Sequence, residues 1–176
     1  PMCRCPQCGK LSDSEQTLIL ENEIIRALRR SDPRATLAHL AYHNTLAPPV
    51  QIKPERGVFL EFAPIQRSYH VPLRCQEACA SDPKRTAHAG LIAALEGNLE
   101  VFGREGAQVL EYWLDVSLFS DWKREKTIAL PWDQRVFEQD LETYAHYGIR
   151  HITSFACWAD GNYVARFGEP PVQEYG

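Results

Sequence analysis

Residues 108–157 read as one complete unit: QVLEYWL (108–114), DVSLFSDWKREKTIALPW (115–132), DQRVFEQDLETYAHY (133–147), Gly148, then IRHITSFAC (149–157). The first and last segments have the apolar and aromatic character of strands. Between them lie a long connection and a helix that Asp133 can cap and Gly148 can close at the C′ position. Two strands joined through a helix run parallel, because a parallel crossover needs a dozen or more residues.

The same unit recurs upstream. A helix is expected from about Glu15 to Arg30, with Leu18, Ile19, Ile25 and Leu28 at helical spacing. Ser14 is its expected N-cap, without the acid three residues on that would complete a capping box, and Asp32-Pro33 stops it. A strand follows at 35–42. A Pro-rich connection through Pro48, Pro49 and Pro54 to Gly57 then leads to a second strand, Val58-Phe-Leu-Glu-Phe62. A long loop from Ala63 to about Lys84 precedes a helix over about 85–102, with Leu91, Leu95 and Leu99 on one stripe. Connections after strands are long and those before strands are short. A (β/α) barrel has that asymmetry, because its site is built from the loops at the strand C-termini, and a doubly wound sheet shares it. The expected fold is therefore α/β, a series of parallel (β/α) units forming one domain over residues 1–176, with a Cys-rich loop at 1–14. Four strands are half a barrel and leave two open edges, through which two copies could pair as a homodimer. Pro1 and the loop-like tail 169–176 are read as the cut ends of a piece of a longer chain.

Composition removes several function classes. The chain has 176 residues, 44% hydrophobic and 24% charged, in the range of globular domains rather than disordered or collagenous ones. Nineteen basic against 23 acidic residues leave a net charge of -4, so no basic field exists for a nucleic-acid backbone. No apolar run approaches the roughly 20 residues of a membrane span, and no signal peptide is visible in the chain, which leaves its localisation open. There is no P-loop, Gly-rich dinucleotide turn, nucleophile-elbow serine or paired-His zinc-protease helix.

Two sets of residues carry chemistry. Cys3, Cys5 and Cys8 form C-x-C-x-x-C, and Cys75 and Cys79 form C-x-x-x-C in a distant loop. Four soft ligands satisfy a tetrahedral zinc, so a structural zinc joining the two loops is one reading. Reduced thiols, or disulfides in an exported protein, are the other. Cys157, in the last strand, reads as a small buried hydrophobe. The second set is acidic: Glu61 in the second strand, Glu111 in the third and Asp115 just past its end. An ionised carboxylate in an apolar strand needs a reason. Strand alternation puts Glu111, Trp113 and Asp115 on one face, where an aromatic platform between acids suits sugar binding and glycoside hydrolysis. The competing reading is a buried ion pair with Arg67, Lys123 or Arg150. Trp122, Trp132, Trp158 and Tyr163 fall in strand-following loops. His39 and His43 sit roughly 13 Å apart on an extended strand and cannot share a metal. His39 is expected to pack within the sheet, and His43 is the better site candidate.

Several stretches resemble the bacterial family called domain of unknown function 4838: Cys3-Arg-Cys-Pro-Gln-Cys8, Thr36 to His43, Ile52 to Phe62, Leu110 to Phe119, and Gly148 to Ala156. That family is similar to α-glucuronidase and β-hexosaminidase-type glycoside hydrolases with a (β/α)8 barrel. The resemblance implies the C-terminal half of such a barrel. This chain reads Glu111-Tyr-Trp-Leu-Asp115 where many relatives show a shorter Trp-Asp-Tyr pattern, which leaves the equivalent acid open. The expected function is hydrolysis or binding of a glycan, with uronic-acid-bearing glycans among the candidates. Asp115, Glu111 and Glu61 are the candidate catalytic residues. Trp113 and Trp158 are placed to stack on sugar rings, and His43, Arg67 and Tyr42 to hold hydroxyls or a carboxylate. The alternatives are a non-catalytic carbohydrate-binding domain and a zinc-stabilised structural or interaction module.

Overall fold

A computed structural model describes residues 2–80 and 85–176; Pro1 and the far end of the 63–84 loop lie outside the described residues. Four strands form one all-parallel sheet in the order β1 (Leu37–Ala41), β2 (Val58–Phe62), β3 (Gln108–Glu111), β4 (His151–Ser154). Helices alternate with them: α1 (Asp13–Ser31) before β1, α2 (His88–Phe102) between β2 and β3, and α4 (Gln134–His146) between β3 and β4. The mixed α/β architecture agrees with the sequence reading and is compatible with part of a (β/α) unit fold.

Register and burial define two unlike faces. Ala41, Leu60, Phe62 and Val109 are buried with Leu91, Leu95 and Leu99 of α2 and Phe137 and Tyr144 of α4 in one apolar cluster. On the opposite face Leu40 pairs with Glu61, and Glu61 with Gln108; all three side chains are half-buried. Burying both faces is the norm for parallel sheets. Here one face is closed by helices and the other is open.

Local chemistry explains most boundaries and corrects several expected ones. Helix α1 starts two residues earlier than expected, at Asp13 rather than Glu15. Ser12, not Ser14, is its N-cap: the Ser12 hydroxyl accepts from the Glu15 N–H, and the Glu15 carboxylate accepts from the Ser12 N–H, a full capping box. Ser14 instead donates to the carbonyls of Thr45 and Ala47. Asp133 caps α4 through the Arg135 and Val136 N–H groups, and Gly148 takes a φ of 82° just past the helix, both as expected. Gly57 adopts a φ of 101° immediately before β2, where an added Cβ would lie 2.9 Å from the Ala35 carbonyl oxygen. The strands are shorter than their apolar runs: β3 ends at Glu111 because the Asp115 N–H turns back onto the Tyr112 carbonyl. The connection after β3 contains helix α3 (Val116–Phe119), and the C-terminal stretch contains α5 (Gly161–Phe167) and α6 (Val172–Tyr175) where loops were expected. Cys157 lies beyond β4 and is exposed, not buried in a strand. Among the described residues no helix is long and apolar enough to cross a membrane.

Candidate functional site at the strand C-termini

The loops that follow the strands carry the backbone strain. Among the described residues, the non-glycine positions with positive φ are His43, Cys79, Asp121, Trp122 and Trp158. His43 follows β1, Cys79 follows β2, Asp121 and Trp122 follow β3, and Trp158 follows β4. Each such residue costs on the order of 1 kcal/mol or more, and such strain gathers at functional sites. Its confinement to one end of the sheet singles out that end.

A cleft of about 460 Å³ opens there, lined by His43, Gln66, Arg85, Leu118, Asp121 and Trp122. Trp122 is 61% exposed, so its indole is accessible at the cleft. A larger hollow of about 670 Å³ lies at the strand N-termini, between Arg34, Gly57 and Gly106. The cleft at the C-termini is the better candidate, because parallel (β/α) folds build their sites at that end and the strained residues sit there.

Beside the cleft, the rim of the open face brings several polar groups together. The Tyr42 ring meets the His43 ring edge-on at 4.1 Å. Burial pushes the Tyr42 hydroxyl up in pKa, opposed by its hydrogen bond with Tyr112. Tyr112 is also pushed up, first by burial and then by neighbours that include Tyr42, Asp115 and Glu61. Its ring stacks on Phe155 at 5.3 Å. Asp115 is almost fully buried. It caps α3 by accepting from the Ser117 and Leu118 N–H groups and from the Ser117 hydroxyl. Tyr42, Glu61 and Asp115 are therefore brought together, with His43 next to them. Trp158 stands half-buried after β4, where the Arg124 guanidinium lies 4.9 Å from its ring centre and 2.7 Å from the Asp160 carboxylate.

Glu111, Arg67 and Trp113 do not join this rim. Glu111 occupies the helix-covered side of β3, because it shares parity with the core residue Val109. Its carboxylate accepts from Arg67 Nη1 at 2.8 Å and from the Tyr144 hydroxyl. Asp140 of α4 also pairs with the guanidinium, 2.7 Å from Nη1 and 2.9 Å from Nη2. Asp140 also accepts from the Leu73 N–H at 2.7 Å and from the Trp113 indole N–H at 3.0 Å. All three charged groups are fully buried. The ion-pair reading of Glu111 is the one the geometry shows, with Arg67 as partner. Burial raises the Glu111 pKa, partly offset by Arg67. Burial works against the Arg67 charge, but the two carboxylates outweigh it and raise its pKa. Trp113 packs inside against Phe137 and Tyr175. His39 is buried in the sheet, as expected; its Nδ1 is 2.6 Å from Glu21 and its ring stacks on Phe102.

The thiols of Cys3, Cys5 and Cys8 lie within 4.8 Å of one another and could hold a metal ion. The N–H groups of Cys8 and Gln7 hold the Cys5 thiol down at about 7, while hydrogen bonding with Cys5 and Cys3 pushes Cys8 up to about 11. Cys75 and Cys79 stand outside this group, and all six cysteines are free thiols. A zinc shared between the two loops does not match that placement.

Gln66, Arg85, Asp121, Trp122 and Tyr112 belong to the candidate site and lie outside the candidate set expected from the sequence. The signal for Trp122 was its place in a strand-following loop; the others carried none, since three sit in irregular connections and Tyr112 reads as strand interior.

Fold and strained rim together describe a parallel β/α protein with its candidate site at the strand C-termini. A family model described as domain of unknown function DUF4838 matches residues 1–88, half of the chain, and the chain belongs to that family. Comparison with curated proteins and with solved structures returns no match.

Proposed function

We propose that this chain supplies a carbohydrate-recognising face of glycoside-hydrolase-like type, at the C-terminal ends of β1, β2 and β3. The observation that carries the reading is the cleft bearing exposed Trp122 beside His43, Gln66 and Asp121. A sugar offers an apolar C–H face to an indole and hydroxyls to amide, imidazole and carboxylate groups, and pockets of this kind combine apolar contact with a few polar groups. Glu61 and Asp115, beside Tyr42 and Tyr112 on the open face, are the acids in reach of hydrolytic chemistry. Uronic-acid-bearing glycans are the first class to try.

One observation favours a second reading, binding without turnover. Glu111 is committed to Arg67, and Asp115 caps a helix, which leaves Glu61 as the only half-exposed member of the three acids. One experiment separates the readings: thermal shift and reducing-end release on the same panel of uronic acids, amino sugars and oligosaccharides. A saturable shift with release that Glu61→Gln or Asp115→Asn abolishes supports hydrolysis. A shift without release supports binding alone. No shift with any sugar overturns both. A zinc ion at the N-terminal thiols fits either reading as a structural ion. The open edges of β1 and β4 make a symmetric dimer the partner to look for by sedimentation.

A further inference from the structure

We propose that Cys3, Cys5 and Cys8 form a three-thiolate site for one zinc ion, and that its occupancy steadies the β1–β2 connection carrying His43. The donor set is entirely soft sulfur, which suits zinc and disfavours calcium or magnesium. With Zn–S bonds of about 2.3 Å, thiolates around a tetrahedral zinc stand about 3.8 Å apart. The three sulfurs already lie within 4.8 Å, so a contraction of about 1 Å closes the set. The turn is shaped for it. The Cys8 N–H points at the Cys5 sulfur at 3.4 Å, and the Gly9 N–H donates to the Cys5 carbonyl at 2.8 Å. An N–H aimed at sulfur favours the thiolate, the form that ligates metal. Exposed Cys3 leaves the fourth position to water or to an external ligand.

The consequence reaches the site end of the sheet through α1. The Cys8 carbonyl accepts from Gln16 Nε2 at 3.0 Å, tying the Cys turn to the first turn of the helix. That same helical turn holds the connection after β1: Ser14 donates to the Thr45 carbonyl at 3.0 Å, and Glu15 accepts from the Gln51 N–H at 2.6 Å. Binding gathers three thiolates, releases their protons to solvent, and fixes the segment that precedes the capping box. Loop 43–51 then loses freedom because its anchor does.

The test is a cobalt titration of the reduced, metal-stripped chain, followed by zinc displacement and amide exchange. One cobalt per chain with a thiolate charge-transfer band, displaced by one equivalent of zinc, is expected. Cys5→Ser should lose the band, and the Cys75→Ser/Cys79→Ser double variant should keep both band and stoichiometry. Zinc should slow amide exchange at Thr45 and Gln51 in the parent chain but not in Cys5→Ser. Absence of the band overturns the site. Its loss in the double variant replaces the site with a two-loop zinc. One ion per two chains replaces it with a shared site. Unchanged exchange on zinc binding overturns the coupling.

Discussion

Replacing Arg67 with Met removes the cation that pairs with two fully buried carboxylates, Glu111 and Asp140. Methionine keeps much of the volume and none of the donors. Breaking a buried ion pair by deleting one partner costs about 3–5 kcal/mol, because the charge left behind has lost its water and its counter-ion. Here two carboxylates are left, and the Val71 and Ser68 carbonyls each lose a guanidinium donor as well. The upper half of that range is expected at pH 7, a large share of the 5–15 kcal/mol that typically holds a domain together. In urea, with a slope of about 2 kcal/mol per M, the midpoint should fall by about 2 M. Glu111→Gln is the control. It leaves Arg67 paired with Asp140, and the new amide oxygen can still accept from Arg67 and Tyr144, so about 1–2 kcal/mol is expected. The pH dependence has a definite sign. Glu111 has a native pKa raised above its ordinary value of 4.5. Between those two values the folded state holds more protons than the unfolded one, so this group's contribution falls as pH rises through that window. Without Arg67 the native value of Glu111 rises further, so the deficit of Arg67→Met should shrink as pH drops from 7 toward 5. A loss below about 1 kcal/mol, or one that does not change over that range, refutes the argument.

Trp122→Ala should abolish any sugar-induced thermal shift while changing the ligand-free midpoint by less than about 2 °C, since surface substitutions alter stability by under ~0.5 kcal/mol. Ser12→Ala should lower stability by about 1 kcal/mol through loss of the α1 capping box, read from urea unfolding. Burial pushes the Glu15 carboxyl up in pKa, but the N–H groups of Gln51, Ser12 and Val50 outweigh it and hold it below the ordinary range. Its stabilisation is therefore present above pH 4.5 and lost as pH falls through the lowered native value, and Glu15→Gln should flatten acid unfolding there. Gly57→Ala should cost at least about 1 kcal/mol, because the position needs a φ of 101° and the new Cβ would meet Arg29 Nη1 at 2.8 Å; an unchanged midpoint would mean the turn can relax.

What the sequence made legible follows from strong, local signals. Asp133 and Gly148 bracket α4 because capping is decided within a few residues, and β2 was read to the residue because Val58–Phe62 stands between a Gly turn and a Pro-containing loop. The parallel order followed from helices lying between strands. Short helices α3, α5 and α6 escaped because four to seven residues carry too few turns for a periodic pattern. The true cap of α1 was missed because Ser12, Asp13 and Ser14 are all cap formers, and only tertiary partners for Ser14 decide among them. Cys75 and Cys79 could not be placed relative to Cys3 from spacing, since loop paths are set by contacts far away in sequence.

Glu111 shows how one strand boundary redirects a functional argument. Alternation is a safe guide only inside the ladder, and the run from Tyr112 to Leu114 is as apolar as the strand before it while lying outside the ladder. Once β3 stops at Glu111, parity with Val109 sends this acid toward the helices, and the chain must provide a cation there. Arg67 reaches in from the loop after β2, and the same residue's carbonyl accepts from Arg85, a residue of the cleft. The Ser68 N–H next to it donates to the buried His88 at the start of α2. A fully buried charge thus fastens the loop that carries Gln66, one wall of the cleft, to the middle of α4. An apolar residue at 111 would take away one of the two carboxylates on Arg67, leaving Asp140 and the Ser68 and Val71 carbonyls to hold it. Glu111 is therefore placed to hold a loop rather than to touch a ligand.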